Sequence, residues 1–207
     1  MKKLIALSIT LLTLPLTASH VKPGNVISDN QALIDATSRP QVDTPNIEVL
    51  VRALLQSGAN TDAYDEAGWS PLHLATAAGK DAVVKVLLDH RFPVDITTRE
   101  HIQVTPLALA AMHGHTSTAK LLLEHGANPN MQDRTGCSPA HTAVVYRQLP
   151  LLKLLVRYGA DLSLNLYLGN ASILVLACDP NSKSEISYDI IEYLLDRQAP
   201  YPGGCEA

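Results

Sequence analysis

The feature that most constrains this chain is its similarity to itself. Ser70-Pro71-Leu72-His73, Thr105-Pro106-Leu107-Ala108 and Ser138-Pro139-Ala140-His141 begin 35 and 33 residues apart. A weaker copy, Ser172-Ile173-Leu174-Val175, begins 34 further on. Leucine-rich stretches trail these blocks at matching offsets: Val83 to Leu88, Ala119 to Leu123, Leu151 to Val156 and Ile190 to Leu195. Gly58-Ala59, Gly126-Ala127 and Gly159-Ala160 close the first, third and fourth units. A period of about 33 residues means stacked supersecondary units, each too small to bury its apolar face alone.

Each recurrent position has a physical task. A Ser or Thr hydroxyl accepts a hydrogen bond from an orphan N–H of the first helical turn, and the following Pro has no N–H to waste and a preset φ. Ser70, Thr105 and Ser138 therefore start helices. Gly58, Gly126 and Gly159 supply the left-handed residue that ends a helix without a Cβ clash. Between these signals lie two short amphipathic helices per unit, for example Pro71 to Ala78 and Asp81 to His90. Helices of two or three turns are unstable singly, so stacking is obligatory.

On these residues the chain resembles the ankyrin-repeat family. The family pattern of Asp, two variable residues, Gly, one variable residue and Thr-Pro-Leu-His is matched by Asp65-Glu66-Ala67-Gly68-Trp69-Ser70-Pro71-Leu72-His73. Its later part is matched by Gly114-His115, Leu121-Leu122-Leu123 and Gly126-Ala127-Asn128-Pro129-Asn130. The resemblance implies an all-α solenoid of helix-turn-helix units joined by β-turn fingers. It holds about three full repeats, near 65–98, 99–132 and 133–165, between degenerate capping repeats near 30–64 and 166–201. Residues 20–29 read as a linker and 202–207 as a tail. In the family, His73 and His141 would bond neighbouring loop backbone, and His115 fills the Gly-His position.

Departures from the pattern carry information. Arg91-Phe92 stands where Gly-Ala is usual, and a non-Gly residue in the left-handed region costs about 1–2 kcal/mol. The finger from Asp95 to Thr105 is two residues longer than its neighbours. Extra residues around Ser38 to Pro45 and Asp179 to Ser187 mark the two end units, where inserted polar residues would cover the exposed ends of the stack.

Ahead of the repeats, Lys2 and Lys3 precede an apolar run from Leu4 to Leu16, followed by small residues at Thr17, Ala18 and Ser19. That is the order of a secretory signal peptide, assigned to 1–19. As a membrane anchor, thirteen helical residues would reach roughly 20 Å, short of a hydrocarbon core of about 30 Å. Export is therefore expected, to a periplasm or otherwise by secretion, with no membrane span left after cleavage.

Composition narrows the chemistry. Sixteen Lys and Arg against 20 Asp and Glu give a formal charge of −4, with no basic run, so nucleic-acid binding lacks an electrostatic footprint. Three cysteines are too few for a disulfide scaffold, and their odd number leaves at least one unpaired or paired between chains. Cys137 falls on a finger, Cys178 within a helix as a small core residue, and Cys205 on the tail. No Gly-x-Ser-x-Gly, flanked nucleophilic Cys or phosphate-cradling loop is present, so no catalytic residue is assigned. His113 and His115, two apart on a helix edge, should point away from each other and so form no metal site. Neither metal nor cofactor is expected.

What remains is a surface. The family lines one concave face with variable finger residues and the ends of the first helices. Here those are Glu66 and Trp69, then the long finger Arg99, Glu100, His101, Ile102 and Gln103 with Met112 and His113. Arg134, Val145, Tyr146 and Arg147 follow, and Tyr167 comes from the last finger. Trp, Tyr, Met and Arg are the types enriched at interface cores. The plain alternative is that Met112 and Val145 are packing residues and that Trp69 folds back onto its own stack. The expected function is a non-catalytic, monomeric module that binds an unidentified envelope protein and inhibits or regulates it, with the long finger entering the partner's cleft. The alternatives are a stress-defence scaffold that stabilises a redox enzyme, and a secreted effector.

Overall fold

The computed structural model describes residues 26–38, 47–167, 171–178 and 188–199. The segment read as a signal peptide, the insertion after Ser38, the insertion from Asp179 to Ser187, and Cys205 lie outside them. The described residues form ten helices: α1 (Val26–Ser38), α2 (Ile47–Gln56), α3 (Pro71–Ala77), α4 (Asp81–Asp89), α5 (Pro106–His113), α6 (Thr116–Glu124), α7 (Pro139–Val145), α8 (Leu149–Arg157), α9 (Ile173–Ala177) and α10 (Tyr188–Asp196). No strand longer than an isolated bridge, Asn165 to Ser172, occurs among them. Helix α1 begins inside the stretch read as a linker.

The helix starts follow the capping chemistry. Ser70 and Ser138 accept from the backbone N–H of His73 and His141, and each histidine ring bonds back to the N–H of its serine. Each serine and histidine thus satisfies two orphan groups reciprocally. Thr105 accepts from the Ala108 N–H, with Ala in place of the histidine. Proline holds the first helical position in all three.

Pairs α1–α2, α3–α4, α5–α6 and α7–α8 are antiparallel hairpins that stack in two layers. Helices α1, α3, α5, α7 and α9 follow one another in the inner layer, and α2, α4, α6 and α8 in the outer. The core runs unbroken between the layers. Leu87, Leu122 and Leu155, equivalent by register, are each fully buried, as are Leu72, Leu107, Leu151 and Leu152. Burying one such side chain contributes about 1.5–3 kcal/mol, so successive units are held chiefly by each other's leucines.

The turns obey the glycine rule at Gly58, Gly126 and Gly159, with φ of 103°, 88° and 88°. Arg91 takes the same left-handed conformation at φ 61°, and Gln198 does so in the last unit at φ 54°. The chain therefore keeps the turn and tolerates the Cβ. A second glycine position ends the inner helices: Gly79 and Gly114 have φ of 65° and 72°, and Arg147 stands in their register at φ 58°. There a side chain would collide, since a Cβ on Gly79 would lie 2.9 Å from the His115 ring and one on Gly114 2.6 Å from the Gln148 amide.

Candidate finger-edge site

The fingers are joined into one continuous edge by backbone hydrogen bonds. The Arg99 N–H donates to the Gly68 carbonyl at 2.9 Å, the Arg134 N–H to Ile102 at 3.0 Å, and the Tyr167 N–H to Thr135 at 2.9 Å. Close approach makes Gly136 necessary, because a Cβ there would collide with the Tyr167 backbone. The two extra residues of the long finger are absorbed locally. Thr98 and Val104 close its base through Thr98 N–H to the Val104 carbonyl and Val104 N–H to Thr98 Oγ1, both 3.0 Å. Its tip thus bonds backward through Arg99 and forward through Ile102, and Gln103, directly after Ile102, is left-handed at φ 60°.

Side chains divide this edge into a braced part and an open part. Trp69 is half-buried, and its indole N–H donates to Glu100 Oε1 at 2.6 Å. The Arg99 guanidinium lies over the Tyr64 ring, 3.8 Å from its centroid. These contacts staple the second finger to the third. Glu66, Arg99, Glu100, His101 and His113 are exposed, while Met112 and Gln103 are half-buried.

The open part lies further along. Ile102 is 45 % exposed, Val145 52 %, Tyr146 47 % and Tyr167 65 %, with Arg134 exposed and Arg147 half-buried among them in sequence. Tyr167 holds its hydroxyl 3.3 Å from Gln132 Oε1 and leaves its ring to solvent. Helix α7 is seven residues long, about 10 Å, so Tyr146 and Arg147 stand roughly that far from their own finger's base.

The histidines behave as structural groups. His73 Nε2 lies 3.0 Å from the Val104 carbonyl and His115 Nε2 3.1 Å from the Ala77 carbonyl, each linking adjacent units. Burial pushes the His73 pKa down to about 4, and burial lowers that of His141 as well. The expectation that His113 and His115 point apart is corrected. Their rings stack with centroids 5.8 Å apart, because left-handed Gly114 between them turns the chain back on itself. Burial, and then the neighbouring His115, lower the His113 pKa. No group of three or more metal-ligating side chains occurs among the described residues. Cys178 also departs from its expected place: it caps the short helix α9 and is exposed, not buried in the core. Cys137 is half-buried, and desolvation raises its thiol pKa.

The sequence reading missed Tyr64, the partner of Arg99, and missed that Arg147 and Gln103 have left-handed backbones. Arg147 had a visible signal, since it follows the first helix at the same offset as Gly79 and Gly114. Tyr64 had none, because a cation–π contact between fingers leaves no mark on spacing.

Comparison with known proteins agrees with this architecture. The family description for ankyrin repeats in three copies matches residues 12–100 and 93–166. The chain is 31% identical over 159 residues to nuclear factor NF-kappa-B p105 subunit of Gallus gallus, covering 74% of this chain and 16% of that protein. It is 32% identical over 127 residues to B-cell lymphoma 3 protein homolog of Mus musculus, covering 60% and 28%. It is 34% identical over 101 residues to probable 26S proteasome regulatory subunit p28 of Saccharomyces cerevisiae, covering 48% and 44%. The chain thus spans less than half the length of each. The shared region is the repeat stack, a protein-interaction scaffold of a generally non-catalytic family. With its capped helix pairs, its two layers and its bonded fingers, the chain belongs to the ankyrin-repeat family.

Proposed function

We propose that this is an exported ankyrin-repeat protein that grips another envelope protein along its finger edge, from Ile102 and Arg134 to Tyr146, Arg147 and Tyr167, and so restrains that protein's activity. The observation that carries the reading is the concentration of exposed Ile102, Val145, Tyr146 and Tyr167 on and beside consecutive fingers. Exposed rings and aliphatic side chains at such an edge supply anchors that gain energy only when a partner covers them. Backbone strain supports the same place. Gln103 and Arg147 hold left-handed conformations at a cost that glycine would avoid, and each carries a polar side chain to this edge. The signal-like N-terminus supports export, and the preformed fingers favour binding with little rearrangement.

The test is capture of a defined partner from the native envelope, followed by titration of that purified partner. Tyr146→Ala with Tyr167→Ala should weaken binding by about 2 kcal/mol or more, roughly 30-fold, with helicity retained. Trp69→Ala should weaken it less, acting through loss of the Glu100 staple. Unchanged affinity in the double variant places the partner elsewhere on the molecule. Inhibition is read as loss of the partner's own activity on mixing; full activity in the complex would favour scaffolding.

A further inference from the structure

The outer layer carries a second feature, separate from the finger edge. In the second and third units the outer helix places a carboxylate one turn after a lysine, as Lys85 with Asp89 and Lys120 with Glu124. Lys120 and Glu124 pair at 3.7 Å. In the fourth unit the same register reads Lys153 and then Arg157, so the acid is replaced by a second cation. Opposite this face stand Tyr193 of α10 and, one turn on and just past the helix end, Arg197.

These residues enclose a depression of about 520 Å³ lined by Lys153, Val156, Arg157, Tyr193 and Arg197. Lys153 Nζ and the Arg197 guanidinium each lie 5.5 Å from the Tyr193 ring centroid. No carboxylate lines the depression, and none of the three cations has an ion pair among the described residues. The acids of α10, Asp189, Glu192 and Asp196, are exposed and outside the lining. Lys153 and Arg197 converge on the Tyr193 ring and Arg157 lines the same depression, so three cations repel one another in a chain of net charge −4, where Lys120 of the preceding unit has its carboxylate.

We infer that this depression between α8 and α10 binds a multiply charged oxyanion of the phosphate type, with Arg157, Arg197 and Lys153 as its ligands. Two guanidinium forks match tetrahedral oxyanions through paired N–H donors, and the lysine adds a mobile point charge. Val156 and Tyr193 supply the apolar part of the wall, while the three cations stay exposed to solvent and open to an incoming anion. The volume suits a small phosphate compound and is within the usual range of ligand sites. Free pyrophosphate and a phosphate monoester such as AMP share the required group, and the binding experiment separates them.

The test is calorimetric titration of the full chain with pyrophosphate and, separately, with AMP, at low ionic strength. Saturable binding is expected with Kd below about 1 mM, weakening as salt rises. Arg157→Gln with Arg197→Gln should weaken it at least about tenfold, while Tyr146→Ala on the finger edge leaves it unchanged. Tighter binding of pyrophosphate than AMP assigns a free polyphosphate, and the reverse assigns a phosphate ester. No saturation by either at about 10 mM overturns the proposal, as does equal affinity in the folded double variant. Citrate binding as tightly as pyrophosphate overturns the phosphate assignment. Failure here leaves the finger-edge reading standing, because the two sites share no residue.

Discussion

The junction of the second and third units and that of the fourth and fifth are built on one plan and completed to different degrees. At the first, His73 reaches the Val104 carbonyl, His115 reaches back to Ala77, the Thr118 hydroxyl donates to Asp81, and Trp69 bonds Glu100. At the second, the finger contact from Tyr167 to Thr135 survives and the Gln132 amide donates to the Asn165 carbonyl at 3.1 Å, but the histidine link between units does not form. Buried His141 Nε2, Asn165 Oδ1 and Ser172 Oγ all lack a hydrogen-bond partner. The Leu164 carbonyl is near enough to His141 to favour its charged form, yet no bond closes. Of the described buried side-chain polar atoms without a partner, only Thr76 Oγ1 lies outside this junction.

Register explains the difference. Val175 occupies the position of His73 and His141, so Ser172 loses the ring that would complete its cap and its hydroxyl accepts no bond. In the outer layer α8 and α10 leave the cationic depression between them, where α4, α6 and α8 pack directly. An unsatisfied buried polar group costs about 1–3 kcal/mol, and a solenoid's stability is a sum over units and junctions. The last unit is therefore the weakest held, and the leucine contacts common to all junctions are what keep it in place.

The largest expected effect breaks the stack at its centre. Leu122→Ala should cost about 2–5 kcal/mol in denaturant unfolding, because it opens a cavity shared by neighbouring units. Leu194→Ala, in α10, should cost the main transition much less, since its unit is already loosely coupled. Equal losses would show that the two junctions are equivalent.

Acid sharpens the contrast at the histidines. His73 is neutral when folded, with its pKa near 4, whereas the unfolded ring takes a proton near 6.5. Its contribution is complete above pH 6.5 and is lost as pH falls toward 4, up to about 3 kcal/mol. The lowered pKa of His141 adds loss in the same direction. Unfolding measured across that window should show the slope, and His73→Gln should flatten it.

Smaller changes probe single positions. Val175→His should restore the reciprocal cap on Ser172 and stabilise the last unit by about 1 kcal/mol; no gain in its unfolding midpoint would show that register alone does not position the ring. Arg147→Gly and Arg91→Gly each relieve a left-handed residue and should stabilise by about 0.5–1 kcal/mol. Only Arg147→Gly should also weaken partner binding. A loss above about 1 kcal/mol at Arg91 would contradict the left-handed turn found there.

Much of this was legible in the sequence because it rests on local chemistry. Ser70-Pro71, Thr105-Pro106 and Ser138-Pro139 announce helix starts through capping and fixed φ, and the leucine offsets place Leu87, Leu122 and Leu155 in the core. Arg91 was readable as strained because it replaces a glycine. Of the contacts between units, only the bond of His73 to neighbouring loop backbone was implied, by the family resemblance; the others were not readable. The stacking of His113 on His115 depends on a turn at Gly114, the hold of Arg99 on Tyr64 crosses two fingers, and the exposure of Cys178 follows from α9 ending after five residues. Each depends on three-dimensional register between segments, which a linear pattern specifies only on average.

Native-state hydrogen exchange measured along the chain tests most directly whether side-chain bonds at the junctions grade the stack. Amides of α3, α5 and α7 should exchange only through the main unfolding event, and those of α9 and α10 through a separate opening of lower free energy. A single opening free energy shared by α3 and α10 would contradict the account.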